Sequence, residues 1–91
     1  AHYIAKSGII ILVRSLAKIL AQHGITVNTI SPGFIDSGSL PKEELEHIKR
    51  RIPAGYVGQN SDAVSLVNYL LSDNAKYING SNIQLSGGWG V

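Results

Sequence analysis

The sequence contains no cysteine, which excludes disulfides, zinc–thiolate sites and thiol catalysis. It is also poor in charge. Charged residues make up 15% of the 91 residues, where a surface-rich domain carries about a quarter. The apolar share is 44%, which is wrong for a disordered chain. So little charge implies that some apolar surface is meant to be covered by something else. Long hydrophobic runs are missing as well. The longest, Ile9 to Val13, falls far short of the roughly 18 residues that a membrane-spanning helix needs. The first residues are not expected to be a secretory signal, since they lack a basic n-region and Arg14 and Lys18 interrupt the apolar part. A net charge of +2, dispersed along the chain, argues against nucleic acid as the main partner. There is no internal repeat and no low-complexity linker.

The length allows one small domain. A chain this short buries roughly two-thirds of its unfolded surface, so its stability margin is thin. The sequence opens within a helical pattern and without Met. It is therefore expected to be a piece of a longer protein or a processed product.

What the sequence does have is a clear order of elements. Residues 3–22 read as a helix, with Ser7, Arg14, Lys18 and Gln22 on a polar stripe. Ile9, Leu12, Val13, Leu16, Ile19 and Leu20 form an apolar arc wide enough to predict burial on more than one side. His23-Gly24 is the stop, with Gly24 free to turn left-handed. Residues 25–30 are β-branched and uncharged, and so predict a buried strand. Asn28 would lie in mid-strand, its amide bonded to neighbouring backbone. Ser31-Pro32-Gly33 breaks that strand and opens a loop through Leu40.

A small helix is expected over 41–52, with Pro41 at its first position, Glu43 and Glu44 in its first turn and Lys49, Arg50 and Arg51 in its last. Pro53-Ala54-Gly55 ends it. A third helix runs to about Leu71, capped by Asn60 or Ser61 and supported by Asp62. Turns at Asp73-Asn74 and Asn79-Gly80 lead to a strand at Asn82–Leu85. Strand, crossover helix, strand is a parallel unit. Two strands do not complete a parallel sheet, and residues 25–30 would expose an open edge.

Ligands of open parallel sheets sit just past the carboxyl ends of the strands. The stretch Ser31-Pro32-Gly33-Phe34-Ile35-Asp36-Ser37 occupies such a place. Pro32 and Gly33 turn the backbone without a bulky side chain, and Ser37 offers a hydroxyl. An ordinary strand-to-loop turn is the competing reading. Tyr3 and Lys6 lie three apart at the start of the first helix and share roughly one face. A phenol beside an ammonium is an acid–base arrangement, because the ammonium favours phenolate. Two amphipathic side chains at a helix start are the alternative.

Taken in order, Lys6-Ser7-Gly8, Ser15-Leu16-Ala17, Gly24-Ile25-Thr26-Val27-Asn28, Ser31-Pro32-Gly33, the stretch from Asp73 to Gly80 and Gly87-Gly88 resemble the C-terminal half of short-chain dehydrogenases/reductases. Among members the sequence is most similar to the 3-oxoacyl-[acyl-carrier-protein] reductase type. The resemblance covers essentially the whole chain. It implies an α/β fold, the C-terminal part of a Rossmann-type doubly wound parallel sheet, with residues 1–91 forming part of one NAD(P)-binding domain. It implies an oxidoreductase that reduces a carbonyl, or oxidises an alcohol, by hydride transfer from or to NAD or NADP.

Carried over by position, Lys6 matches the family lysine that favours the phenolate and holds the nicotinamide ribose, and Tyr3 is the candidate acid. Pro32, Gly33 and the Ile35 backbone would line the nicotinamide, and Ser37 would meet its carboxamide. The helix at 41–52 would belong to a lid over the substrate. The expected partners are a small-molecule or acyl-carrier carbonyl substrate and further copies of the parent protein, with no membrane and no nucleic acid. The expected location is the cytoplasm.

Two departures from the family stand out. The family spaces its residues Tyr-x-x-x-Lys, whereas Tyr3-Ile4-Ala5-Lys6 is one residue short. On a helix the deletion swings Tyr3 by about 100°. Counting back four from Lys6 lands on His2, the alternative acid. The Gly-rich phosphate loop, the ribose selector and the catalytic Ser are absent from these residues. The closing glycines have no helix after them and so cannot cradle phosphate.

The isolated chain is accordingly expected to show little catalysis and weak dinucleotide binding. The competing function is a non-catalytic remnant or association module of the same ancestry. Trp89 is expected at a subunit or chain-end contact. Lys49-Arg50-Arg51 is read as a solvated helix end, with recognition of an acidic carrier protein as the alternative.

Overall fold

The computed structural model describes the backbone of residues 2–90 and the side chains of residues 6–90. The chain divides into two compact units, one of Ala1–Ile30 and Tyr69–Ile83, the other of Ser31–Asn68 and Gln84–Val91. Its elements are α1 (His2–Leu20), β1 (Thr29–Pro32), β2 (Ile35–Asp36), α2 (Lys42–Lys49), β3 (Gly58–Gln59), α3 (Asn60–Leu71) and β4 (Asn82–Leu85). The α/β class is the one the sequence predicts, and the order helix, strand, small helix, helix, strand is kept, with β2 and β3 added.

In the first unit, α1 is followed by a single 3-10 turn, Ala21–His23. Gly24 then closes it at φ +75°, and its N–H donates to Ala21 O. This is the left-handed stop that the His-Gly pair predicts. The inner stripe of α1 centres on Ala17, which is buried. Ile9, Ile11, Leu12 and Ile19 remain more than half exposed. The helix is thus covered on one side within this chain, not on the several that its wide apolar arc predicts.

The strand expected at 25–30 begins later, at Thr29, and runs on through Pro32. The reason lies in two asparagines. Val27 N–H donates to Asn79 Oδ1 at 2.9 Å, and Gly80 N–H donates to Val27 O at 2.8 Å. Asn28 donates from Nδ2 to Ile78 O at 3.0 Å and accepts from Ser81 N–H at 2.9 Å. Side-chain amides therefore take the backbone groups that a ladder would otherwise take. The Asn28 amide bonds backbone as expected, but ahead of the strand and not within it. Asn79 also donates to Ala17 O at 3.1 Å, tying the turn to α1.

β1 pairs with β4. Thr29 N–H donates to Ser81 O, and Gly33 N–H donates to Leu85 O, both at 2.9 Å. The register is the same at both ends, so the strands are parallel. The other edge of β1 has no strand beside it among the described residues.

In the second unit, the expected loop through Leu40 contains a short strand that the sequence pattern does not mark. β2 runs parallel to β3, with Ile35 opposite Gly58 and Asp36 opposite Gln59. Two residues are too few to show a period. α2 is shorter than the expected 41–52, and Pro41 stands before it as an extended cap (φ −60°, ψ 149°), not as its first residue. Its ends carry Glu43 and Glu44 in the first turn and His47 and Lys49 in the last, as the helix dipole favours. α3 has the expected extent, but its cap is one residue earlier than Asn60. Asp62 Oδ2 reaches back to accept from Gln59 N–H at 2.8 Å, the return half of a capping box.

Candidate functional site

The candidate loop starts where β1 ends, in the second unit. Gly33 is required there. A Cβ would stand 2.9 Å from Ser86 Cβ and 3.0 Å from Ser86 Cα. The side of Gly33 on which a Cβ would stand is therefore taken by the chain's own Ser86. Phe34 O accepts from Gly58 N–H at 3.1 Å. Ile35 enters β2 opposite Gly58, where an added Cβ would lie 2.8 Å from Ile35 Cδ1 and would push that side-chain tip aside. Asp36 Oδ1 accepts from Gly38 N–H at 2.7 Å, which turns the chain outward. Ser37 is exposed, and its hydroxyl meets that of Ser39 at 3.1 Å.

Pro32, Gly33, Ile35 and Ser37 thus lie along one stretch of chain in the second unit. Pro32 and Ser37 are exposed, and Gly33 and Ile35 are partly buried. Lys6 belongs to the first unit, on α1, and its side chain is exposed. Tyr3 and His2 lie in the first turn of the same helix. Their side chains fall outside the described residues.

Sequence reasoning misses what surrounds Phe34. The protein has one Phe and one Trp, and the two meet. Their ring centroids are 4.6 Å apart and the planes are tilted by 54°. Arg51 lies over the Phe34 ring, with Cζ 5.6 Å from its centroid. Trp89, 38% exposed, therefore packs on the candidate loop itself. Arg51 is exposed, as a solvated helix end should be, and in addition lies over the ring, while Lys49 is exposed beside Glu46 at 3.7 Å. The signal available in the sequence was the scarcity of aromatics.

A cleft of about 200 Å³ borders the loop, lined by Phe34, Ile35, Tyr56, Asp62, Ser65 and Leu85 among others. Ile35 is the one expected site residue that lines it. A larger cleft of about 710 Å³ lies in the first unit, between Ala21, Ile25, Leu71, Tyr77 and neighbouring residues. Those residues precede β1 and β4 or end a helix, so this cleft sits at the amino ends of the strands. That is the opposite end from where parallel sheets bind ligands. Among the described residues no group of His, Asp and Glu is placed to hold a metal, and no helix is long and apolar enough to cross a membrane.

Comparison with known proteins adds the missing frame. A family model described as enoyl-(acyl carrier protein) reductase matches residues 1–90. The 3-oxoacyl-[acyl-carrier-protein] reductase FabG of Staphylococcus aureus strain Mu50 is 45% identical over 92 aligned positions, covering 97% of this chain and 37% of the relative. The FabG of Rickettsia conorii is 42% identical, with 97% and 38% covered. A short chain dehydrogenase from Bacillus anthracis superposes with TM-score 0.82 at 32% identity, over 97% of this chain and 36% of that one. A 4-hydroxyisoleucine dehydrogenase complexed with NADH superposes with TM-score 0.80 at 34% identity, over 96% and 37%. The chain thus spans little more than a third of the length of these relatives. With nearly every residue matched, the chain belongs to the short-chain dehydrogenase/reductase family.

Proposed function

We propose that these residues are the carboxyl-terminal part of an NAD(P)-dependent oxidoreductase that reduces a carbonyl, with a 3-oxoacyl thioester on a carrier as the substrate class. The observation that carries the reading is the 45% identity to a 3-oxoacyl reductase across 97% of the chain. The family model's description speaks of an enoyl group, whose C=C bond is reduced instead. The carbonyl reading is favoured because the first curated relatives, at 40–45% identity, all carry the 3-oxoacyl name.

The stretch from Pro32 to Ser37 fits the flat end of a dinucleotide. It lies past the carboxyl end of β1, offers the exposed Ser37 hydroxyl, and carries no charged side chain other than Asp36, whose carboxylate is turned onto Gly38 N–H. The cofactor, when bound, supplies or accepts hydride. This chain supplies the rest of the nicotinamide side: Pro32, Gly33 and Ile35 as a wall, Ser37 for the carboxamide and Lys6 for the ribose. Tyr3 holds the proton destined for the carbonyl oxygen, and the Lys6 ammonium favours the phenolate left behind. The parent protein acts as a dimer or tetramer.

The reading is tested by joining this chain behind the amino-terminal portion of a 3-oxoacyl reductase relative and following NADPH oxidation with a 3-oxoacyl thioester. The expected result is reduction that Lys6→Met abolishes. Absence of reduction, both in this form and with one residue restored before Lys6, contradicts the reading and favours a non-catalytic association module.

A further inference from the structure

Two segments of the second unit converge on the Phe34 ring. Arg51, just after α2, lies over its face. Trp89, near the chain end, meets it at a tilt. A cation over a ring face is held by the ring's negative quadrupole, and tilted aromatic pairs are attractive beyond their burial. The backbone is shaped to allow this. Gly87, at φ +63°, presses so closely on Ile52 that a Cβ would stand 2.8 Å from its Cγ2. Gly88, at φ +93°, faces Pro53 at a distance where a Cβ would lie 3.2 Å away. Ala54 N–H donates to Gly87 O at 2.9 Å. The chain end is thus seated on the turn that carries Arg51, and both reach one ring of the candidate loop. Arg51 has no carboxylate partner among the described residues; its neighbour is the ring.

We propose that Arg51 and Trp89 are positioning residues for the candidate loop. By gripping Phe34 they fix the backbone from Gly33 to Ile35, and the wall offered to a flat ligand depends on the chain end. That functional consequence rests on the oxidoreductase reading; the grip itself does not. Two backbone bonds report it. Gly33 N–H donates to Leu85 O, and Gly58 N–H donates to Phe34 O. Gly80 N–H, bonded to Val27 O in the first unit, is the internal reference.

Amide hydrogen exchange, read by NMR on the 91-residue chain, tests the proposal. In Arg51→Met and Trp89→Leu the Gly33 and Gly58 amides should exchange about two- to fivefold faster, with Gly80 unchanged. Arg51→Lys and Trp89→Phe, which keep a cation and a ring, should restore most of the protection. Arg51 is exposed, so its replacement leaves the fold intact. Unchanged Gly33 and Gly58 rates overturn the proposal. So does equal acceleration at Gly80, which marks a general loss of stability. No ligand enters the measurement. Its failure therefore refutes the grip alone, while absence of NADPH oxidation in the joined protein, with and without the restored residue, refutes the oxidoreductase reading alone.

Discussion

Asn28 and Asn79 show how single side chains decide where a strand begins. Each amide both donates and accepts, replacing ladder bonds between residues 27–28 and 78–81. Asn28→Ala leaves Ile78 O and Ser81 N–H without that partner in a partly buried place. The expected loss is about 1–3 kcal/mol, read as a lower urea midpoint; an unchanged midpoint would show that water replaces the amide. Gly33→Ala is a sharper case. Its Cβ would meet Ser86 Cβ and Cα and not a flexible tip, so about 1–3 kcal/mol of destabilisation is expected in the same titration. A midpoint that rises would mean the chain end gives way freely. The need for glycine at 33 was legible in the sequence. Its cause was not, because Ser86 is distant in the chain and carries no signal of its own. The same holds for Phe34, Arg51 and Trp89, which no local pattern links.

At the scale of elements, helices and caps were legible where periodicity or a glycine marks them: α1 with its Gly24 stop, α3 and β4. Pro41 and β2 were misjudged for local reasons. Pro41 adopts an extended ψ that suits a cap as well as its fixed φ suits a first turn. β2 is formed by a partner, Gly58, and not by its own pattern. The unbroken helix from His2 to Leu20 bears directly on the short Tyr-x-x-Lys spacing. Since the backbone is helical through both residues, no looser turn lies between Tyr3 and Lys6 to compensate for the missing position. Inserting one Ala or Ser between Ala5 and Lys6, in this chain joined to a relative's amino-terminal portion, should turn Tyr3 by about 100° and raise the rate of carbonyl reduction. Tyr3→Phe should then remove the gain. Full activity without the insertion, still lost in Tyr3→Phe, would show that this helix start rearranges in the joined protein.

At the scale of the whole molecule, the low charge content has a visible counterpart. The buried apolar residues among those described are Ala17, Ile52 and Ala75, while Ile9, Ile11, Leu12 and Ile19 on α1 and Val64, Val67 and Leu71 on α3 are exposed. Leu71 alone is 80% exposed. Such faces, together with an edge of β1 that has no strand beside it among the described residues, predict that the isolated chain associates with itself. Sedimentation velocity should show a weight-average mass rising with concentration; a monomer at every concentration would contradict this. The central claim is that these residues supply the nicotinamide side of a dinucleotide site and not its pyrophosphate side, which belongs to a glycine-rich turn and helix N-terminus absent from this sequence. Calorimetric titration with NADH and NADPH tests it most directly. The isolated chain should show no saturable binding at submillimolar ligand, and the joined protein should bind one of the two, more weakly after Lys6→Met. Micromolar binding by the isolated chain would contradict the account.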